Sequence, residues 1–256
     1  ANRGEIAVRI IRACREMNIR TVAIYSEADK DSLHTKLADE AICVVPAGSA
    51  KSYLNIKNIL EAASLSGVDS IHPGFGFLSE NSNFAKMCEE SNIKFIGPSY
   101  KVIDLMGNKS NSKELMKSAG VPVIPGSEGS LRDLEDAKKI AKEIGFPIML
   151  KAAAGGGGKG IRLVEEMKDL ESAYNIVKQE AKVSFNDDEI YMEKFIVNPR
   201  HVEIQILADE HGNVVHLGER DCSVQRRNQK ILEESPSTVL DEALRKKMGE
   251  AAIKAV

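Results

Sequence analysis

Residues 151 to 160 read Lys-Ala-Ala-Ala-Gly-Gly-Gly-Gly-Lys-Gly. Five of the six residues from 155 to 160 are glycine, and Lys151 and Lys159 bracket the run. Glycine lets backbone N–H groups approach an anion with no Cβ in the way, and the two ammonium groups suit phosphate oxygens. A plain hairpin tip does not need so many glycines, because each one loses more chain entropy on folding than any other residue. Phosphate binding is therefore the chemistry this run points to. Gly155, Gly157 and Gly160 satisfy the spacing GxGxxG, but the dinucleotide fingerprint requires a helix to follow. Here Ile161-Arg162-Leu163-Val164 follows, with strand character. Gly158-Lys159 precedes Gly160 rather than Ser or Thr, so the phosphate-loop signature is absent too. What remains is strand, glycine flap, strand: a device that can close over a nucleotide and exclude water.

Two further segments carry polar chemistry. Glu193-Lys194-Phe195-Ile196 ends a β-rich run and can offer backbone groups to the edge of an adenine and side chains to its face. Gln225 to Lys230 reads Gln-Arg-Arg-Asn-Gln-Lys, three cations in six residues, just after Glu219-Arg220-Asp221. A solvated turn and an anion site are both open there, since Arg and Lys bind carboxylate and phosphate oxygens.

These residues need elements to hold them. The first hundred residues alternate helical and strand patterns. Helices are expected at Ile6–Met17, Ile56–Leu65 and Asn83–Glu90. Strands are expected at Thr21–Tyr25, Ala41–Val45, Ser70–His72 and Phe95–Ile96. Alternation of this kind predicts a doubly wound parallel sheet, an α/β fold of Rossmann type. Its first strand would precede residue 1, and both chain ends read as cut. Lys101–Ala119 reads as one helical stretch, and Val121-Pro122-Val123-Ile124-Pro125-Gly126 as a crossing segment. Around the flap, helices are expected at Leu131–Ile144 and Glu165–Ser184, and strands at Pro147–Ala152, Ile161–Val164 and Glu189–Phe195. His201–Ala208 and Val214–Glu219 read as antiparallel strands joined at 209–213, and Asp241–Val256 as an amphipathic helix. The expected domains are 1–106 (Rossmann-like), 107–122 (helical linker), 123–197 (lid) and 198–256 (the start of a second nucleotide-binding half).

Composition narrows the function. The chain has 256 residues, 43% hydrophobic and 29% charged, with a net charge of -3. No basic surplus suggests a nucleic-acid partner, and no apolar run is long enough for a membrane span. Cys14, Cys43, Cys88 and Cys222 show no zinc-type spacing. They read as reduced, mostly buried thiols in a cytoplasmic protein.

Longer motifs complete the picture. Ala1-Asn2-Arg3-Gly4-Glu5-Ile6-Ala7, His72-Pro73-Gly74-Phe75-Gly76-Phe77-Leu78-Ser79-Glu80-Asn81, Phe95-Ile96-Gly97-Pro98 and Met106-Gly107-Asn108-Lys109 are followed by the flap. Then come Met192-Glu193-Lys194, Asn198-Pro199-Arg200-His201-Val202-Glu203 and Glu219-Arg220-Asp221-Cys222-Ser223-Val224-Gln225-Arg226-Arg227. With these motifs in this order the whole chain resembles the biotin carboxylases of the ATP-grasp family. The wording at 200–203 favours the acetyl-CoA carboxylase type, used in fatty-acid synthesis, over the biotin carboxylase domains of pyruvate and other acyl-CoA carboxylases. The resemblance implies a pre-ATP-grasp domain, an ATP-grasp lid and the start of the ATP-grasp C-terminal domain. It implies that ATP activates bicarbonate as carboxyphosphate, and that the carboxyl group moves to biotin on a biotin carboxyl carrier protein. Carboxyltransferase subunits and a homodimer are the implied partners.

By matched position, Lys109 and Lys151 touch ATP phosphates, and Gly157 and Gly158 lie over them. Glu193, Lys194, Phe195 and Ile196 frame the adenine. His201, Gln225 and Asn228 lie by the ribose and phosphates, and Lys230 holds bicarbonate. The family's ligands for Mg²⁺ (or Mn²⁺), its catalytic arginine and its base fall beyond residue 256, so no metal ligand and no turnover are expected of these residues alone. Asn228 stands where the family commonly has His, and Phe75 where many members have Tyr. His72 also reads as a turn residue capping a strand end.

Overall fold

In the computed structural model the described residues are 1–107, 109–153, 160–185, 187–226 and 229–256, with the side chains of 109–111 and 185 not described. They fall into two units, Ala1–Ser112 and Lys113–Val256.

The first unit runs α1 (Gly4–Glu16), β1 (Val22–Tyr25), α2 (Leu33–Leu37), β2 (Glu40–Cys43), α3 (Ile56–Ser66), β3 (Ser70–Ile71), α4 (Ser82–Glu90), β4 (Lys94–Phe95) and α5 (Tyr100–Gly107). Local chemistry sets the helix ends. Asn55 and Asn81 cap α3 and α4 by accepting the backbone N–H groups of Asn58 and Phe84, and α3 stops at Gly67 in the left-handed region, φ 61°. The apolar faces so defined bury Ile59, Ala62 and Ala63 from α3 and Phe84, Ala85 and Cys88 from α4 in one core with Tyr53, Ile71 and Phe95. β1 pairs with β2 and β3 with β4, both in parallel. Each pair is parallel as expected, but the four strands form two pairs rather than one sheet. A cavity of about 380 Å³ is lined by Val22, Ala23 and Ile24 of β1 and Ser70 and Ile71 of β3. The expected single helix over 101–119 is two, α5, which ends at Gly107, where glycine lowers helix propensity, and α6 (Lys109–Ser118).

The second unit continues with α7 (Leu134–Ile144), β5 (Ile148–Ala152), β6 (Ile161–Val164), α8 (Met167–Phe185), β7 (Ile190–Lys194), β8 (Val202–Ala208), β9 (Val214–Arg226), β10 (Gln229–Glu234) and α9 (Glu242–Lys254). β5 is the centre of an antiparallel sheet, β6-β5-β7. Its alternation is strict: Ile148, Leu150 and Ala152 are buried, and so are Ile190 and Met192 of β7. Ala137 and Ala141 of α7 and Leu170, Val177 and Ala181 of α8 join that buried face. Asp133 caps α7 through the N–H of Asp136, which is why the helix begins at Leu134 rather than Leu131. β5 and β6 form the expected hairpin, with Lys151 opposite Ile161. The glycine run between them lies outside the described residues.

The second sheet is antiparallel, β10-β9-β8. β9 is longer than the expected Val214–Glu219 and pairs with β10, so Gln225 and Lys230 lie opposite each other on two antiparallel strands. A bulge interrupts β8·β9, where Ile204 faces Glu219 but Ile206 faces His216. Gly218, at φ 89°, supplies the left-handed backbone the extra residue requires. The bulge keeps His216, Glu219 and Asp221 on one face. α9 packs there: a Cβ on Gly249 would lie 2.5 Å from the His216 ring, so glycine lets the helix approach.

Candidate nucleotide and anion site

The face of β5 and β7 opposite the buried one carries Lys151, Tyr191 and Glu193. Lys151 sits opposite Tyr191 and diagonal to Glu193, a spacing long side chains bridge. The Lys151 ammonium donates to Glu193 Oε2 at 2.6 Å and lies 5.9 Å over the Tyr191 ring. Lys113 of α6 approaches the other oxygen, Oε1, at 3.6 Å. Burial pushes the Tyr191 phenol up, so it stays neutral. Lys194 alternates to the other side. Its ammonium donates to the carbonyls of Gly145 (3.2 Å) and Phe146 (2.7 Å), closing the C-terminal end of α7. Its side chain is thus committed away from Glu193 and Lys151. The Phe195 N–H donates to Pro147 O, and Ile196 is exposed.

A second cluster forms on the face of β8–β10 opposite α9. His201 immediately precedes β8, and Glu203 lies two residues on, within it. Glu203 pairs with Arg220 in register, and the Cys222 N–H donates to His201 O at 2.7 Å. His201, Glu203, Arg220 and Cys222 therefore point the same way. Arg220 Nε donates to Glu203 Oε1 at 2.7 Å, and Lys230 Nζ donates to Glu203 Oε2. The Gln225 amide contacts His201 Nδ1 at 3.1 Å and donates to Cys222 O at 3.0 Å. Burial alone would raise the Glu203 carboxyl, but hydrogen bonds from Lys230 and Arg220 hold it below its ordinary value. The hydrogen bond that Lys230 donates to Glu203 in turn holds Lys230 above its ordinary value. Lys230 stays cationic, but two carboxylates face it, Glu203 and, at 3.9 Å, Glu233, so an anion binding there would compete with them for the ammonium.

Three of the sequence-derived residues, His201, Gln225 and Lys230, thus converge, and Lys151 and Glu193 pair directly. Gly157, Gly158 and Asn228, and the side chain of Lys109, lie outside the described residues. Sequence reasoning missed three charged neighbours: Lys113, Glu203 and Arg220. Alternation of His201 and Glu203 along one strand was the signal available for Glu203. Among the described residues one trio of metal-capable side chains appears, His201, Glu203 and Cys222, with donor atoms within 4.8 Å of one another. It does not fit Mg²⁺, which asks for oxygen ligands. One donor is a thiol that burial pushes up, and the carboxylate is already neutralised. No step is derived through a metal here. All four cysteines are free, with Cys88 and Cys222 buried and Cys14 and Cys43 only half-buried.

The geometry has a counterpart among known proteins. Residues 1–103 match the family model for the biotin carboxylase N-terminal domain, and 108–256 match that for the carbamoyl-phosphate synthase L chain ATP binding domain. This chain belongs to the biotin carboxylase family. It is 58% identical over 255 residues to biotin carboxylase 1 of Bacillus subtilis, covering 100% of this chain and 57% of the relative. It is 56% identical to the chloroplastic biotin carboxylase of Arabidopsis thaliana, covering 100% of this chain and 48% of that one. A Campylobacter jejuni biotin carboxylase solved as a β,γ-ATP complex superposes with a TM-score of 0.83 at 57% identity, covering 99% of this chain and 57% of that one. The chain therefore spans about half the length of the curated relatives it matches. Among its described residues no helix is long and apolar enough to cross a membrane.

Proposed function

We propose that this chain supplies the nucleotide lid and the bicarbonate-binding floor of an ATP-dependent biotin carboxylase of the acetyl-CoA carboxylase type. The observation that carries the reading is the β8–β10 face, where His201, Gln225 and Lys230 meet around Glu203. ATP is the phosphoryl donor. Lys151, at the mouth of the β5–β6 hairpin, takes a phosphate, and Lys109, Gly157 and Gly158 complete the cradle. Glu193, Phe195 and Ile196 line the adenine, with Lys194 fixing that strand end from behind. His201, Gln225 and Asn228 take the ribose and phosphates. Lys230 holds bicarbonate through its positive charge, which orients the nucleophile before phosphoryl transfer. Support comes from a solved relative: the biotin carboxylase domain dimer of Hydrogenobacter thermophilus 2-oxoglutarate carboxylase holds MgADP and bicarbonate. When bound, Mg²⁺ would offset charge on the transferring phosphoryl.

In this reading 1–106 is the pre-ATP-grasp domain, 107–122 a linker, 123–197 the lid and 198–256 the start of the ATP-grasp C-terminal domain. The whole protein acts in the cytoplasm on biotin carried by a carboxyl carrier protein, works with carboxyltransferase subunits and pairs with a second copy. Calorimetric titration of the 256-residue chain with MgATP and MgADP tests the nucleotide site. Lys151→Met is expected to weaken binding about 10–100-fold, the worth of one charge-assisted hydrogen bond. In the whole protein Lys230→Ala is expected to abolish bicarbonate-dependent ATP hydrolysis. Unchanged hydrolysis removes Lys230 from the bicarbonate role.

A further inference from the structure

The Glu193 carboxylate carries two ammonium groups, one on each oxygen. Lys151 donates to Oε2 at 2.6 Å, and Lys113 stands 3.6 Å from Oε1. All three side chains are largely buried: 28% exposed for Lys113, 27% for Lys151 and 19% for Glu193. The backbone is shaped to admit the second lysine. Residues 125–127 lie along β7, with the Ser127 N–H donating to Met192 O and the Lys194 N–H to Pro125 O. Gly126 bridges Glu193 in that ladder. A Cβ at Gly126 would stand 2.3 Å from Met192 O and 3.1 Å from the Lys113 ammonium. Only glycine leaves room for β7 and Lys113 together.

The two lysines differ in their freedom to leave. Lys151 is the last but one residue of β5, in the strand that leads into the glycine run, where on the nucleotide reading an incoming phosphate would compete with Glu193 for it. Lys113 belongs to α6 and reaches Glu193 past Gly126. When Lys151 turns to a phosphate, Glu193 loses its shorter contact while a polyanion arrives next to it. An uncompensated carboxylate there would repel the ligand. With Lys113 in place the pair Glu193–Lys113 is neutral.

We propose that Lys113 is a positioning residue of the nucleotide site: it holds and neutralises Glu193 so that Lys151 is free to bind phosphate. The proposal rests on the nucleotide reading given above, and it names a residue that the glycine run and the long motifs do not single out. A unit charge within roughly 8 Å of the phosphates, at an effective dielectric of about 20–40, changes affinity about 5–30-fold.

The test is a double-mutant cycle on the 256-residue chain, read by calorimetric titration with MgADP. Lys113→Met is expected to weaken binding about 5–30-fold, by the charge argument above. Lys113→Arg, which keeps the charge, is expected to stay within about threefold of wild type. In a Glu193→Gln background there is no carboxylate to neutralise, so adding Lys113→Met is expected to change affinity by less than about twofold. Wild-type binding with an unaffected Lys113→Met overturns this proposal alone. An equal loss in the Glu193→Gln background also overturns it, because Lys113 would then act on the ligand or the fold directly. A wild-type chain that binds neither MgADP nor MgATP overturns the nucleotide reading and the proposal with it.

Discussion

Arg245→Met tests how α9 is held against β9. Arg245 of α9 donates from Nε to both oxygens of Glu219, at 2.8 and 3.0 Å. The Glu219 side chain is 1% exposed and that of Arg245 is 30% exposed. Beyond Arg245, the side chain of Glu219 accepts the Ser237 N–H at 3.2 Å. Removing one partner of a buried pair costs about 3–5 kcal/mol, because a charge is left without compensation. Water reaches the vacated end of the Arg245 stem, so about 2–3 kcal/mol is expected here. That corresponds to a loss of roughly 5–10 °C in the thermal midpoint of the second unit. The methionine keeps the aliphatic stem, so packing contributes little to the change. Adding Glu219→Gln removes the stranded charge, and the double variant is expected to be more stable than Arg245→Met alone. The pH dependence carries a sign. Burial pushes the Glu219 carboxyl up, but Arg245 and the Ser237 N–H outweigh it and hold the group below its ordinary 4.5. The wild-type pair therefore stabilises the fold above pH 4.5, and the contribution fades as pH falls through the lowered folded value. Without Arg245 the upward push is opposed only by backbone hydrogen bonds such as that from the Ser237 N–H, so the deficit is expected to shrink as pH approaches 4.5 from above. Urea unfolding of the three variants at pH 7 and pH 5 measures this. A deficit below about 0.5 kcal/mol at pH 7, or a double variant no better than Arg245→Met, refutes the reasoning.

Two other outcomes follow from packing. Leu150→Ala, at the fully buried centre of β5, is expected to cost about 3 kcal/mol in urea unfolding, while Leu163→Ala, 44% exposed on β6, is expected to cost under about 0.5 kcal/mol. A strand-forming segment of five valine and isoleucine residues joined ahead of Ala1 is expected to enter the cavity between β1 and β3 and raise the thermal midpoint of the first unit. The same segment with a central proline, which lacks the N–H a buried strand needs, is the control, and equal midpoints would show that no strand enters.

What the sequence could and could not disclose follows from the range of the forces involved. β5 and β7 were legible because one face of each is apolar in strict alternation, Ile148, Leu150 and Ala152 against Ile190 and Met192. α7 was legible, but for its first residues, because Asp133 caps it and its apolar positions recur at helical spacing. The two parallel pairs of the first unit were legible as strands, and so was a strand expected ahead of residue 1; that the four strands would form two pairs was not, since pairing depends on what fills the centre of a sheet. Pairings between distant elements were the least accessible. Nothing near Lys113 in the chain announces Glu193, eighty residues on. Gly218 shows the limit most sharply. Counting by twos from His216, which faces α9, would put Arg220 and Cys222 against the helix and leave Glu219 and Asp221 on the site face. The bulge at Gly218 inverts that order. It turns Glu219 inward to Arg245 and presents Arg220 and Cys222 beside Glu203 and Lys230. One glycine with a left-handed backbone thus decides which charges pack against α9 and which gather around Glu203, because a single added residue exchanges the two faces of a strand.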